Sequence, residues 1–147
     1  MIITDTGFWL ALADQQDTHH KIARQKLREI DKRLITTCCV VTETCYLLLK
    51  RKGVLAQTKF MDSLANRAFE TFNLQPYHAQ RITQLMQQYA NLPMDLADAS
   101  LVILAEELGH GRILSVDYRD FNTYRWKNTE PFQIKREHLT FAMSINT

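Results

Sequence analysis

Five short apolar segments alternate with longer amphipathic ones along the chain, and this alternation most constrains the fold. We predict strands at residues 1–4, 34–37, 69–74, 112–116 and 132–135. The segments between them repeat apolar residues at helical spacing. Strands that alternate with helices predict a parallel sheet covered on both faces, because each helix carries the chain back to the same end of the sheet. We therefore expect the α/β fold class.

The helical segments carry start and stop signals. Asp17 begins a helix that continues to about residue 33, and we place its basic residues, Lys26 among them, on a polar face. Gly53 is suited to end the next helix in a left-handed conformation. Pro93 opens a later helix, which Gly109 closes. The remaining helices are predicted at residues 8–13, 54–68 and 78–91.

The composition is that of an ordinary globular domain. The chain has 147 residues, 46% hydrophobic and 23% charged, which suits one domain spanning 1–147. The net charge of +2 permits an acidic partner without requiring one. Three cysteines (Cys38, Cys39 and Cys45) lie in an apolar stretch, and we interpret them as buried thiols of a cytoplasmic protein. We see no signal peptide and no apolar run long enough to span a membrane.

Two aspartates directly follow predicted buried strands. Asp5 follows the first strand, and Asp117 follows the strand at 112–116. Sites in open α/β sheets form beyond the carboxyl ends of the strands, so both acids are well placed for chemistry. Either one alone fits a turn or a helix cap equally well.

Two helical acids are more informative, because they share faces with apolar residues. Glu43 lies on a helix that is apolar nearly all round, and Asp98 shares a face with Leu101 and Val102. A buried carboxylate is costly unless it is paired or bound to a metal. Asp95, one turn before Asp98, fits a helix-start residue better.

Several inward-facing acids with few inward-facing Lys or Arg residues would raise one another's pKa. A hard divalent cation resolves this conflict, and Mg²⁺ or Mn²⁺ suits oxygen ligands. Such an ion can activate water and hold a phosphoryl oxygen. The acids therefore suggest metal-assisted hydrolysis of a phosphodiester.

Four motifs occur in order along the chain: Ile3-Thr4-Asp5-Thr6, Val41-Thr42-Glu43, the run from Asp95 to Leu101, and the run from Ile113 to Phe121. With these motifs the chain resembles the PIN-domain ribonucleases, and among them the VapC-type toxins of toxin–antitoxin pairs. The resemblance covers nearly the whole chain. It implies a three-layer α/β/α sandwich with a central parallel sheet and a Mg²⁺- or Mn²⁺-dependent endoribonuclease.

The resemblance also implies roles for individual residues. Asp5, Glu43, Asp98 and Asp117 are the catalytic acids, with Asp5 and Asp98 as the main metal ligands. Thr6 and Ser115 match supporting hydroxyl positions, and Asp95 and Asp120 are additional acids of second rank. The chain departs from the family pattern at Gly7, where a small side chain is more usual.

Partners follow from the same resemblance: an RNA substrate, a cognate antitoxin protein and a second copy of the chain in a homodimer. Arg119 and Arg125 are our candidates for contacts with RNA phosphates. The alternative to an enzyme is a catalytically inert PIN-like module that binds RNA or a protein. Asp5-Thr6-Gly7 also spells the aspartic protease signature, but only four glycines and mostly helical patterns make that match accidental.

Overall fold

The computed structural model of the protein describes residues 1–116 and 119–134 and follows the predicted alternation. The strands are β1 (Ile2–Thr4), β2 (Leu34–Thr37), β3 (Glu70–Phe72), β4 (Arg112–Leu114), β5 (Arg125–Trp126), β6 (Glu130–Pro131) and β7 (Gln133–Ile134). The helices are α1 (Thr6–Ala13), α2 (His20–Glu29), α3 (Cys38–Lys52), α4 (Val54–Ala65), α5 (Ala79–Gln88), α6 (Leu96–Leu108) and α7 (Arg119–Thr123), with a 3₁₀ turn at Pro76–His78 before α5.

Five strands form one parallel sheet in the order β3-β2-β1-β4-β7. β1 is central, and its register pairs Ile3 with Ile35 on one side and with Ile113 on the other. The chain first moves outward from β1 to β2 and β3, and then returns to β4 beyond β1. Right-handed crossovers therefore place α1–α4 on one face and α5–α6 on the other. The predicted α/β/α sandwich is confirmed.

α6 is the central helix of the core. Eight of its residues are buried, including Leu101, Val102 and Ala105. It packs against β1, β2 and α5, and a two-bonded ion pair between Arg81 and Glu106 ties it to α5. A helix with apolar residues on so much of its circumference is stable only inside the protein. It therefore holds its acidic first turn rigidly against the sheet.

Several helix boundaries differ from the prediction for local reasons. α2 begins at His20 because the Asp17 carboxylate accepts the backbone N–H of His19 and forms a turn before the helix. α6 begins at Leu96, not at Pro93, because Asp95 is its N-cap. Gly53 ends α3 as predicted and has a positive φ of 88°, but its ψ of −173° is extended and not the predicted left-handed conformation. α7 and the antiparallel β5–β6 pair were not predicted, since each is only a few residues long.

The prediction of buried cysteines is wrong. Cys38 is exposed, Cys39 and Cys45 are half-buried, and all three are free thiols. Among the residues that the structure describes, no helix is long and apolar enough to cross a membrane.

Candidate active site

Three neighbouring strands end at the same edge of the sheet, and a polar side chain follows or ends each one. Asp5 comes directly after β1, Thr37 ends β2, and Ser115 comes directly after β4. All three are buried. Because the strands are parallel and adjacent, their carboxyl ends meet at one edge, which we call the acidic edge.

Asp5 is held at both of its carboxylate oxygens. Oδ1 accepts the backbone N–H of Phe8 at 2.8 Å and so caps α1, and Oδ2 accepts the Ser115 hydroxyl at 2.6 Å. The side chain is buried, with the residue only 7% exposed. A carboxylate fixed by two donors keeps one orientation without any further ligand. The predicted supporting hydroxyl of Ser115 does contact the first acid of the chain.

Glu43 lies on α3, where it faces the acidic edge. The Thr6 hydroxyl donates to Glu43 Oε2 at 3.1 Å, which links the first turn of α1 to α3. Burial raises the pKa of the Glu43 carboxyl, the Asp95 charge raises it further, and the Thr6 bond lowers it. The expectation that α3 is buried all round is wrong, because Tyr46 and Leu49 are exposed. Glu43 itself is half-buried.

Asp98 is an acid of the edge with a strongly raised pKa. It lies in the first turn of α6, and its Oδ2 accepts the hydroxyl of the fully buried Tyr124 at 3.2 Å. Burial raises the pKa of Asp98 to about 7, with the charge of Asp95 as the next cause. The Tyr124 bond lowers that pKa, while the charges of Asp120 and Glu43 raise it. Asp98 therefore experiences the charges of three neighbouring acids, of which Glu43 belongs to the predicted catalytic set and Asp95 and Asp120 to the second rank.

Asp95 and Asp120 act on Asp98 in different ways. Asp95 Oδ1 accepts the backbone N–H of Asp98 at 2.8 Å, so Asp95 caps α6, which is the helix-start role considered for it from the sequence. Asp120 begins neither helix nor strand but lies in α7, close enough to raise the pKa of Asp98. Both acids add negative charge to the acidic edge.

The position of Lys26 differs from the prediction in a way that matters for the site. The sequence placed it on the polar face of α2, but it is only 3% exposed. Its Nζ donates to the backbone carbonyl oxygen of Ser115 at 3.0 Å. A cation is therefore buried at the acidic edge, where few were expected.

An open groove of about 450 Å³ lies between the start of α3 and the start of α6. It is lined by Cys39, Thr42, Glu43, Tyr46, Asp95, Leu96 and Ala97. Its walls combine the carboxylates of Glu43 and Asp95 with apolar surface and the aromatic ring of Tyr46. A hydrogen bond of 2.6 Å between the Thr37 hydroxyl, at the start of α3, and the Ser100 hydroxyl of α6 joins the two helices that line the groove.

The donor chemistry of the acidic edge fits a hard divalent cation. Asp5, Glu43 and Asp98 offer carboxylate oxygens, which Mg²⁺ and Mn²⁺ prefer. The raised pKa values of Glu43 and Asp98 reflect burial and crowded negative charge. A bound cation would favour the ionised carboxylates and so offset both effects. Within residues 1–116 and 119–134, no three His, Cys, Asp or Glu side chains already form a metal-binding group. Asp117 lies outside the described residues.

The predicted phosphate-binding residues have different outcomes. Arg125 Nη1 donates to the carbonyl oxygens of Asn122, Thr123 and Tyr124 and so ties down the end of α7. The side chain of Arg119 lies outside the described part of the structure, although its backbone begins α7. Contact of either residue with RNA remains a prediction.

Sequence reasoning missed Tyr124 and Lys26. Tyr124 packs between Tyr89 and Phe121, with ring centroids 4.9 and 5.4 Å away, and this packing aims its hydroxyl at Asp98. The only available signal was its spacing of three residues from Phe121, which places both rings on one side of a short helix. No sequence pattern marks Lys26, because lysine on an amphipathic helix is usually solvated.

The fold and the edge together define a class of protein: an α/β sandwich with a carboxylate site beyond the carboxyl ends of a central parallel sheet. The family model named PIN domain matches residues 2–127, and the chain therefore belongs to the PIN-domain family. Membership predicted from the four motifs is confirmed.

Two relatives refine the comparison. The chain is 28% identical over 124 residues to Ribonuclease VapC26 of Mycobacterium tuberculosis, covering 84% of this chain and 92% of that protein. Its fold resembles the crystal structure of M. tuberculosis VapC20, which is described as a toxin that cleaves the sarcin–ricin loop. The TM-score is 0.75 at 18% identity, over 81% of this chain and 92% of that one. At that identity the second likeness bears on the fold.

Proposed function

We propose that the protein is a Mg²⁺- or Mn²⁺-dependent endoribonuclease and the toxin of a toxin–antitoxin pair. The observation that carries the proposal is the crowding of Glu43 and Asp98 at the edge of the sheet where Asp5 follows β1, with the pKa of Asp98 raised to about 7. The likeness to Ribonuclease VapC26 supports the substrate class.

Some residues of the site would bind the cation, and others hold those ligands in place. Asp5 and Asp98 are the main ligands in this proposal, Glu43 and Asp117 complete the set, and Asp95 is a second-rank candidate. When bound, the cation supplies an activated water and neutralises charge on a phosphoryl oxygen.

Three hydroxyl groups hold the ligand carboxylates. Ser115 donates to Asp5, Thr6 to Glu43 and Tyr124 to Asp98. Hydrogen bonds of this kind fix the orientation of metal ligands before the metal arrives. The groove beside them leaves one side open to a polymer. Attack of water on phosphorus with loss of the 3′ oxygen would leave a 5′-phosphate and a 3′-hydroxyl.

The test is cleavage of RNA in Mn²⁺ by the wild type and by two variants that preserve the helix starts. Asp5→Asn keeps an N-cap, since Asn caps helices as well as Asp does. Asp98→Asn keeps an acceptor for Tyr124. We expect EDTA to abolish cleavage and each variant to lower the rate at least a hundredfold. Asp62→Asn, on the exposed face of α4, is the matched control. Full cleavage in EDTA would refute the metal mechanism.

The alternative, an inert module that binds RNA or protein, is separated by metal titration. The enzyme proposal expects Mn²⁺ binding that Asp98→Asn removes. An inert module would show no Mn²⁺ binding that is lost in Asp98→Asn.

The biological role and the partners are further parts of the same proposal: a cytoplasmic homodimer inhibited by a cognate antitoxin. Expression alone should arrest growth, and co-expression of the antitoxin should relieve the arrest. Harmless expression of a protein that cleaves RNA in vitro would contradict the toxin role. The solution mass of the free protein tests the dimer.

A further inference from the structure

We infer that Lys26 is a positioning residue of the active site, which holds Asp5 in its metal-binding orientation through Ser115. This inference rests on the proposed metal site. It concerns a residue of α2, whereas the acids belong to β1, α3 and α6 or to the segments that follow them.

Ser115 lies just beyond the end of β4. The ladder between β1 and β4 ends with Thr4 paired to Leu114, so Ser115 is the first residue beyond the paired strand. Segments that leave a sheet are usually more mobile than the strand itself. The hydroxyl of Ser115 must nevertheless lie 2.6 Å from Asp5 Oδ2. A fixed backbone at residue 115 is therefore needed for this bond.

Lys26 makes a contact that restrains this backbone. Lys26 Nζ donates to the Ser115 carbonyl oxygen at 3.0 Å, across 89 residues of sequence. That contact joins the last turn of α2 to the end of β4. A charged donor forms a stronger hydrogen bond than a neutral one, so it restrains the peptide group well.

Packing of α2 places Lys26 at this position. It is not a solvated side chain that happens to bend inward. Ala23, one turn earlier on the same side of α2, is fully buried, and Lys26 is 3% exposed. Removing an ammonium group from water costs several kcal/mol unless local negative charge and hydrogen bonds offset the loss. The Ser115 carbonyl oxygen supplies one such hydrogen bond.

A positioning role and a purely electrostatic role predict opposite results. If Lys26 acted only through its charge, its removal would make the edge more negative, and Mn²⁺ would bind more tightly. If it acts by orienting Asp5 through Ser115, its removal would loosen a metal ligand and weaken Mn²⁺ binding. Loss of such supporting contacts commonly lowers metal affinity about 10- to 100-fold.

The experiment measures Mn²⁺ affinity by calorimetric titration, without RNA, in the wild type, Lys26→Met, Ser115→Ala and the double variant. We expect each single variant to bind Mn²⁺ at least about tenfold more weakly. The double variant should lose less affinity than the two single losses combined, because both changes break the chain of contacts from Lys26 through Ser115 to Asp5. Lys21→Met, an exposed lysine of the same helix, controls for the loss of one positive charge.

Unchanged or tighter binding by Lys26→Met would overturn the inference, and so would independent effects that add in the double variant. A wild type that binds no Mn²⁺ would instead overturn the proposed metal site and this inference with it. Lys26→Gln, which keeps an N–H donor, replaces Lys26→Met in the Mn²⁺ titration if Lys26→Met does not fold. Failure of both to fold would assign Lys26 a structural role and overturn the positioning role.

Discussion

Asp98 should destabilise the protein in the absence of metal, and Asp98→Asn should therefore stabilise it at alkaline pH. The pKa of Asp98 is raised from 3.8 to about 7, first by burial and then by the charge of Asp95. Between these values the folded protein holds a proton that the unfolded chain has released. Stability contributed by this proton is present at low pH, is lost as the pH rises through about 7, and remains lost above it.

The size of the effect follows from the difference between the two pKa values. Roughly three pH units correspond to about 4 kcal/mol, at about 1.4 kcal/mol for each unit. Asp98 is only partly buried, and solvent screening reduces this to about 2 kcal/mol. An asparagine has no charge to bury, has the same shape, and still accepts the Tyr124 hydroxyl bond.

The assay is urea unfolding in EDTA at pH 4.5 and pH 8. We expect Asp98→Asn to exceed the wild type by only about 0.5 kcal/mol at pH 4.5, because that pH lies just above the unfolded pKa, and by about 2 kcal/mol at pH 8. Saturating Mn²⁺ should reverse the order at pH 8, because a ligand at a hundred times its Kd adds about 2.7 kcal/mol to a protein that binds it. Asp62→Asn should show neither effect. An Asp98→Asn protein that is no more stable than the wild type at pH 8 would refute the reasoning.

Three further changes test neighbouring parts of the structure. Tyr124→Phe removes a donor to Asp98, so the pKa of Asp98 should rise and the pH at which Mn²⁺ binds should move upward; a titration unchanged in pH dependence would contradict this. Gly111→Ala should lower the free energy of unfolding by about 1–3 kcal/mol, because its Cβ would lie 2.5 Å from Trp126 Nε1 and 3.2 Å from the backbone of Phe132. Gly7→Ala should be neutral or stabilising by up to about 1 kcal/mol, since its Cβ would meet nothing closer than 3.8 Å, and a loss in thermal unfolding would show that the helix start needs glycine.

The sequence predicted the sheet well because buried parallel strands leave short apolar runs. β1, β2 and β4 lie within the predicted segments, and each carries a polar residue at or just after its end. Helix starts were less predictable, because the residue that caps a helix depends on local side-chain bonds. Asp95 caps α6 two residues after Pro93, and Asp17 forms a turn before α2.

The candidate site was predictable where chemistry forces a residue type, and not where packing does. A carboxylate among apolar neighbours, such as Asp98, is conspicuous because its burial is costly. Tyr124 and Lys26 reach the site only because α7 and α2 place them there, across 26 and 89 residues from Asp98 and Ser115. Nothing in their own sequence neighbourhoods indicates those contacts.

The bond between Ser115 and Asp5 joins residues 110 positions apart, and this has a consequence for synthesis. A ribosome adds about 5–20 residues each second and releases the chain from its amino end. Asp5 emerges well before the β4 segment that completes its surroundings. A growing or truncated chain that stops short of residue 115 therefore lacks the acidic edge. If the finished enzyme is toxic, its topology delays that toxicity until residue 115 has been translated.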